Sequence, residues 1–315
     1  MKVHLVDGTY ELFRHYYGAP AHETAGHEEV GAARAVVGSL IGMLETGATH
    51  VGVATDHVIE SWRNDAWPLY KSSAGVPEDL LIQFPLLEEA LASMGLVVWA
   101  MTDLEADDAL ASAAAVVSDD PRAEQILICT PDKDLGQCVR GQKVVCLDRR
   151  KNAIVDEDAV RARFGVGPGS VPDWLALVGD SADGFPGVPG WGPKAASAVL
   201  GRYGTLEAIP PDASAWKVPL PAGRVASLAT ALAQNLGAAQ LFKKLATCMV
   251  DRDILPSGAA ALDSLAWRGP APGFAAMCRR LEGPDLLRRA EKLAAARSGA
   301  RAALRGSPGP QLHLR

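Results

Sequence analysis

Aspartate recurs at the carboxyl ends of apolar runs in this chain of 315 residues. Asp7 follows Val3–Val6, Asp56 follows Val51–Thr55, and Asp132 and Asp134 follow Ile126–Thr130. Short β-rich apolar runs of this kind read as strands, and the carboxyl edge of an open α/β sheet is where ligands bind. One such acid means little; three strands doing the same thing suggest a convergent carboxylate cluster. Glu105, Asp107 and Asp108 add a fourth group at the head of a helix that runs through Val117. A capping box over Thr102–Glu105 and the helix macrodipole account for one or two of these acids. They do not account for four within six residues, once Asp103 is included. Asp180 and Asp183 supply a fifth group in Gly179–Gly184, which alone would be an ordinary turn.

So many carboxylates share a small volume only when cations neutralise them, since like charges a few ångströms apart repel by kilocalories. Oxygen ligands without His or Cys partners favour Mg²⁺ or Mn²⁺ over zinc. Two such ions about 4 Å apart are the usual device for phosphodiester hydrolysis. On the residues alone, that reading stands beside a Mg²⁺-dependent phosphatase and a non-catalytic acidic pocket.

The elements that must position these acids alternate in the first half of the chain. Strands are expected at Val3–Val6, Val51–Ala54, Leu96–Ala100, Ile126–Cys129 and Val144–Leu147. Helices are expected at Glu29–Leu44, Leu80–Met94 and Asp107–Val117, the pattern of a mostly parallel α/β sheet flanked by helices. After Asp156 strand signals vanish, and Gly165–Val171 reads as a hinge. We therefore expect an α/β core over residues 1–165, a helical part over 166–295 and a basic, disordered tail over 296–315. No apolar run reaches the roughly 18 residues of a membrane span, and the N-terminus meets an acid too soon for a secretory signal. Five scattered cysteines without a Cys-x-x-Cys pair read as reduced thiols of a cytoplasmic protein. The net charge of −6 speaks against nucleic-acid binding unless cations offset the acids.

The motifs, taken in order, resemble the 5′-nuclease family: the 5′→3′ exonuclease domain of bacterial DNA polymerase I and its flap-endonuclease relatives. The matching stretches include Val6-Asp7-Gly8, Leu12-Phe13-Arg14, Thr55-Asp56, Ser61-Trp62-Arg63, Tyr70-Lys71 and Leu104–Asp108. They continue with Thr130–Leu135 and Leu177–Lys194, and the likeness covers about residues 1–250. The resemblance implies a PIN-like 5′-nuclease fold with a helical arch at about 70–90 and a helix–three-turn–helix element at about 173–205. It implies metal binding by Asp7, Asp56, Glu105, Asp107, Asp108, Asp132, Asp134, Asp180 and Asp183, with two or more Mg²⁺ or Mn²⁺ ions. It implies that Lys71 and Arg63 assist catalysis and that Arg14, Tyr70, Lys71, Gly187, Gly190, Gly192 and Lys194 contact DNA bearing a 5′ end, flap or junction. K⁺ in the Gly187–Lys194 loop is a further expectation. Neither a membrane nor a nucleotide cofactor is expected, and the chain ends near where the family's nuclease domain does, as in a stand-alone nuclease.

The Gly187–Lys194 stretch has a physical reading of its own: glycines permit close backbone approach, Pro193 suits the first position of a helix, and its unpaired N–H groups would face a phosphate. Two departures from the family pattern stand out. The run after Tyr70-Lys71 is one residue short, and Ser72–Phe84 contains no Lys or Arg. After Asp180 the chain reads Ala182-Asp183-Gly184, where the family prefers Ser-Asp-Asn. Trp191 reads as packing between helices before it reads as a DNA-stacking residue. The rival functions are a junction-binding protein with little catalysis and an RNA-directed nuclease of related architecture.

Overall fold

The computed structural model describes residues 1–306. Six strands form one sheet in the order β3-β2-β1-β4-β5-β6: β1 (Lys2–Asp7), β2 (His50–Asp56), β3 (Val97–Met101), β4 (Gln125–Cys129), β5 (Val144–Asp148) and β6 (Ala153–Val155). The β1 strand pairs in parallel with β2 and β4, β4 pairs in parallel with β5, and the edge strand β6 pairs antiparallel with β5. Val3, Leu5 and Val6 of β1 and Ile126 and Ile128 of β4 are wholly buried, as expected of parallel strands covered on both faces. The chain first builds outward from β1 through β2 to β3, then returns to place β4 on the other side of β1. That reversal opens a crevice at the carboxyl ends of β1 and β4, the topological switch point of the sheet.

The helices are α1 (Gly8–Gly18), α2 (Gly31–Glu45), α3 (Trp62–Ala66), α4 (Glu78–Leu81), α5 (Gln83–Ser93), α6 (Ala106–Ser118) and α7 (Glu157–Phe164). They continue with α8 (Val171–Val178), α9 (Pro193–Tyr203), α10 (Ala222–Gln234), α11 (Leu236–Ala246), α12 (Ala259–Ser264), α13 (Phe274–Arg280) and α14 (Pro284–Gly306). The five expected strands and three expected helices are all present. In α6, Ala106, Ala109, Leu110, Ala113, Ala114 and Val117 are buried at helical spacing. Pro193 opens α9 and Gly204 ends it, an arrangement that matches each residue's backbone preference.

The chain packs as two units. One comprises Met1–Tyr10, His50–Val76 and Trp99–Leu265; the other comprises Glu11–Thr49, Pro77–Val98 and Ala266 onward. By packing, the helical stretch through Leu265 shares a unit with the sheet. The segment expected to form an arch is tied into the core: α4 buries Leu80, and α5 buries Phe84, Leu86, Leu87, Ala90 and Leu91. In its own unit α5 packs on α2 and α13. The disordered tail expected from residue 296 is also corrected. Its alanine-rich start has high helix propensity and extends α14 to Gly306, while residues 307–315 lie outside the described residues. Among the described residues no helix is long and apolar enough to cross a membrane.

Candidate metal-dependent active site

Asp7 ends β1 and caps the helix that follows: its Oδ1 accepts from the Tyr10 N–H at 2.8 Å, and its Oδ2 from the Thr130 hydroxyl at 2.9 Å. The register Asp7↔Ala54 sets it beside the end of β2, where the Asp56 N–H donates to Thr9 Oγ1 at 2.8 Å. Asp56 Oδ1 accepts from the Ala106 N–H at the head of α6, 2.7 Å away, which ties β2 to the helix bearing Asp107. Beyond β4, the N–H of Asp132 donates to Thr130 Oγ1 at 3.1 Å, and Asp132 Oδ1 accepts from the Asp134 N–H at 2.8 Å. Asp180 accepts from the Ala182 N–H at 2.9 Å, which sets the turn that presents Asp183.

The structure draws three of these acids closest. Asp134, Asp180 and Asp183 each offer a carboxylate oxygen within 4.8 Å of the other two, the only such triad of metal-ligand residues among the described residues. Asp134 Oδ1 is buried and accepts no hydrogen bond, although the Lys133 ammonium stands 3.4 Å away. A buried carboxyl oxygen without a hydrogen bond, within an all-oxygen donor set, fits a hard divalent cation. Asp7, Asp56, Glu105, Asp107 and Asp132 form a looser group whose members sense one another's charge.

Burial and that mutual repulsion govern their titration. Burial raises Asp7 to about 7, with the charges of Asp56 and Asp132 adding to the rise against the hydrogen bonds from Tyr10 and Thr130. Burial, then the charge of Asp132, raises Asp134 to about 8. Asp107 is pushed well above the usual carboxylate range by burial and by Asp132 and Asp7. Burial also raises Asp56 and Asp183, against the opposing pull of Lys71.

Two ammonium groups balance part of this charge. Lys71 Nζ lies 2.9 Å from Glu105 Oε2 and 3.3 Å from Asp183 Oδ1, and so joins the loose group to the triad. Burial alone would lower its pKa, but the surrounding acids, Glu105 first, carry it well above the ordinary lysine value. Lys133 pairs with Asp180. Sequence reading missed Lys133; its signal was a cation placed between two candidate ligands, Asp132 and Asp134.

Asp108 and Arg63 take a different place from the one expected. Asp108 is fully buried and receives both guanidinium nitrogens of Arg63 at 2.8 Å each. It also accepts from the N–H groups of Glu105 at 3.0 Å and Met249 at 2.7 Å. These four bonds fill the acceptor capacity of a carboxylate, so no oxygen remains for a metal. Arg63 spends its other donor contacts on the carbonyls of Leu245 at 2.8 Å and Thr247 at 3.2 Å, and is buried beyond the reach of a phosphate. The capping acid at the head of α6 is thus Asp108 bonding back to Glu105, not Glu105 bonding back to Thr102.

Tyr70 is buried, with its hydroxyl 3.4 Å from Glu105 Oε2, and is placed to position that acid rather than to meet DNA. Arg14 lies in the other packing unit, paired with Glu11 and 2.7 Å from His15 Nε2. Gly187 approaches the backbone of Gly179 so closely that a Cβ would stand 2.4 Å from its nitrogen, while Gly190, Gly192 and Lys194 face open space at the head of α9. Trp191 is buried, with its N–H donating to the Leu228 carbonyl at 3.2 Å, which bears out the packing reading.

A family model described as "5′-3′ exonuclease, N-terminal resolvase-like domain" matches residues 2–165, and one described as "5′-3′ exonuclease, C-terminal SAM fold" matches residues 166–270. The chain belongs to the 5′-3′ exonuclease family. Among curated relatives, the DNA polymerase I of Pseudomonas aeruginosa is 32% identical over 256 residues, covering 79% of this chain and 27% of that protein. A 5′-3′ exonuclease of Aquifex aeolicus is 29% identical over 209 residues, covering 66% of this chain and 71% of the relative. The chain thus spans only about a quarter of the length of the DNA polymerase I relatives. Among solved structures, a bacteriophage T5 flap endonuclease complex with DNA and metal ions superposes with a TM-score of 0.61 at 17% identity, over 92% of this chain and all of that one. The catalytic core of Rad2 in complex with DNA substrate gives 0.56 at 14% identity, over 93% and 92% of the two chains. At these identities the structural likeness establishes the 5′-3′ exonuclease fold, a parallel sheet with a helical second part.

Proposed function

We propose that this family member hydrolyses DNA phosphodiester bonds at or next to a free 5′ end or flap junction, using two divalent cations. The observation that carries the reading is the Asp134, Asp180 and Asp183 triad with its bare buried oxygen, set at the switch point of the sheet beside Asp7, Asp107 and Asp132. We place one Mg²⁺ or Mn²⁺ ion on the triad and a second on Asp7, Asp56, Glu105, Asp107 and Asp132. When bound, such ions supply a water activated for in-line attack and offset charge on the phosphate and the leaving oxygen.

The chain's own residues do the rest. Lys71, between the two acid groups, pairs with a phosphate oxygen entering the crevice and so holds the scissile bond over them. Lys133 balances the triad. Asp108 and Arg63 position Glu105 and the strap at Leu245–Met249. The free N–H groups at the head of α9, with exposed Lys194, hold a backbone phosphate away from the reacting bond. K⁺ in this loop would need carbonyls other than that of Gly190, which accepts from Arg224 at 2.6 Å. A reducing, cytoplasmic setting suits five free cysteines.

The test is cleavage of a 5′-labelled DNA flap with Mg²⁺ or Mn²⁺, against EDTA and Asp134→Asn. Cutting that needs the metal and is lost in the variant supports the reading. Tight junction binding without cutting in either metal replaces it with a binding role, and equal cutting of a matched RNA flap replaces the DNA preference.

A further inference from the structure

Cys138 and Cys248 stand about 110 residues apart in sequence. Cys138 closes the 3-10 turn Asp134–Cys138, whose first residue is a triad acid. Cys248 lies in the strap after α11, next to Met249, whose N–H donates to Asp108. The Cys138 thiol stands close enough to the Cys248 thiol to raise its pKa. Both are partly exposed, and both line a cavity of about 110 Å³ with Gln137, Arg140 and Val250. Their backbones are fixed at the same place: the Cys248 N–H donates to Gln137 Oε1 at 3.0 Å, while Gln137 Nε2 donates to the carbonyls of Asp134 and Ala246, each at 2.9 Å. The buried thiols nearby are otherwise engaged, Cys146 donating to the Leu135 carbonyl and Cys129 to that of Leu127. No group of three metal-type ligands among the described residues includes a cysteine, so the pair is not part of a metal cage.

We propose that Cys138 and Cys248 form a dithiol site that closes reversibly to a disulfide under a peroxide-class oxidant, tying the Asp134 turn to the 246–250 strap. In the first step the Cys138 sulfur attacks a peroxide oxygen, the O–O bond breaks, and Cys138 sulfenic acid and water result. In the second, the Cys248 sulfur attacks the sulfenic sulfur, the S–S bond forms and the S–O bond breaks. Hydroxide leaves and takes up the Cys248 proton as water. The two thiols lose two electrons in all and hydrogen peroxide gains them. The Cys138 contact and burial hold the Cys248 thiol well above its ordinary pKa, so it is protonated at rest and gives up its proton as the S–S bond forms. The bridge would close a loop of about 110 residues, and a loop that long strongly restricts the unfolded chain.

The whole chain, reduced and then treated with hydrogen peroxide, is digested without reductant and its linked peptides are sequenced by mass spectrometry. The expected product has lost two hydrogens, carries one Cys138–Cys248 link, and melts several degrees higher until dithiothreitol reverses the change. Cys278→Ser should retain the shift, and Cys138→Ser and Cys248→Ser should lose it. A link between other cysteines, or conversion to sulfinic acids without a link, overturns the proposal. The wild-type peptide map decides this even where a serine variant fails to fold.

Discussion

At the scale of single residues, the acid cluster stores repulsion that cations relieve. Asp7 and Asp134 have folded pKa values of about 7 and about 8 against an ordinary 3.8. The folded protein therefore binds more protons than the unfolded chain between about pH 4 and 8. Its stability without metal must rise as pH falls through that window and drop as pH climbs past the folded values. We expect the melting temperature in EDTA to be higher at pH 6 than at pH 8.5, and excess Mn²⁺ to remove most of the difference by stabilising the ionised carboxylates. Asp134→Asn should raise the metal-free melting temperature at pH 8.5 while abolishing cleavage. A melting temperature that falls between pH 8.5 and pH 6 would refute the buried-cluster account. The two basic residues of this region separate as cleanly. Arg63→Met leaves Asp108 charged and buried without its partner, so a loss of about 3–5 kcal/mol is expected by denaturant unfolding, partly restored by adding Asp108→Leu. Lys71→Met should fold normally and slow cleavage by roughly 100-fold, the scale of one lost electrostatic contact to a transition state.

At the scale of elements, the departure at Gly184 sets how Lys71 approaches the acids. Gly184 has φ +82, and a Cβ there would stand 2.0 Å from the Leu69 carbonyl oxygen. The Trp67 indole donates to the Gly184 carbonyl at 3.0 Å, and the Lys71 N–H to the Asp183 carbonyl at 3.2 Å. Glycine in place of the family's asparagine thus lets the Trp67–Lys71 segment lie directly on the Asp180 turn and deliver its lysine to Asp183. Gly184→Ala should cost about 1–3 kcal/mol through backbone strain and steric conflict. It should also lower kcat with little change in Mn²⁺ affinity; unaltered kcat would show that Lys71 does not depend on this close approach. The strands were legible because their apolar runs are continuous. Helix α1 was not, since it begins directly after β1 and takes as its cap Asp7, a residue already read as a ligand. The strand β6 was hidden because it is short and exposed. That Asp108 is a structural partner was equally hidden: its burial depends on Arg63 and the Met249 strap, which only tertiary packing brings to it. The thiol pair escaped for the same reason, neither cysteine carrying a local spacing signal.

At the scale of the whole molecule, a net charge of −6 must be reconciled with the polyanionic substrate proposed above. Two bound divalent cations would bring the formal charge from −6 to −2 and place the positive charge where the scissile phosphate enters. Some arginines are already committed to acids: Arg63 is buried on Asp108, Arg280 pairs with Glu28 and Glu89, and Arg289 with Glu45. The segment after Lys71 adds no basic residue before α5. Binding should therefore lean on the cations more than on a basic surface. We expect the Kd for an uncleavable product duplex, measured at constant ionic strength, to be at least about tenfold tighter in Mn²⁺ than in EDTA, a coupling of about 1.4 kcal/mol. In EDTA the slope of log K against log salt should be no steeper than about −3, as for three or four phosphate contacts. Equal affinity with and without metal, together with a steep salt slope, would mean that a basic surface dominates binding. The metal sites would then serve the chemical step alone.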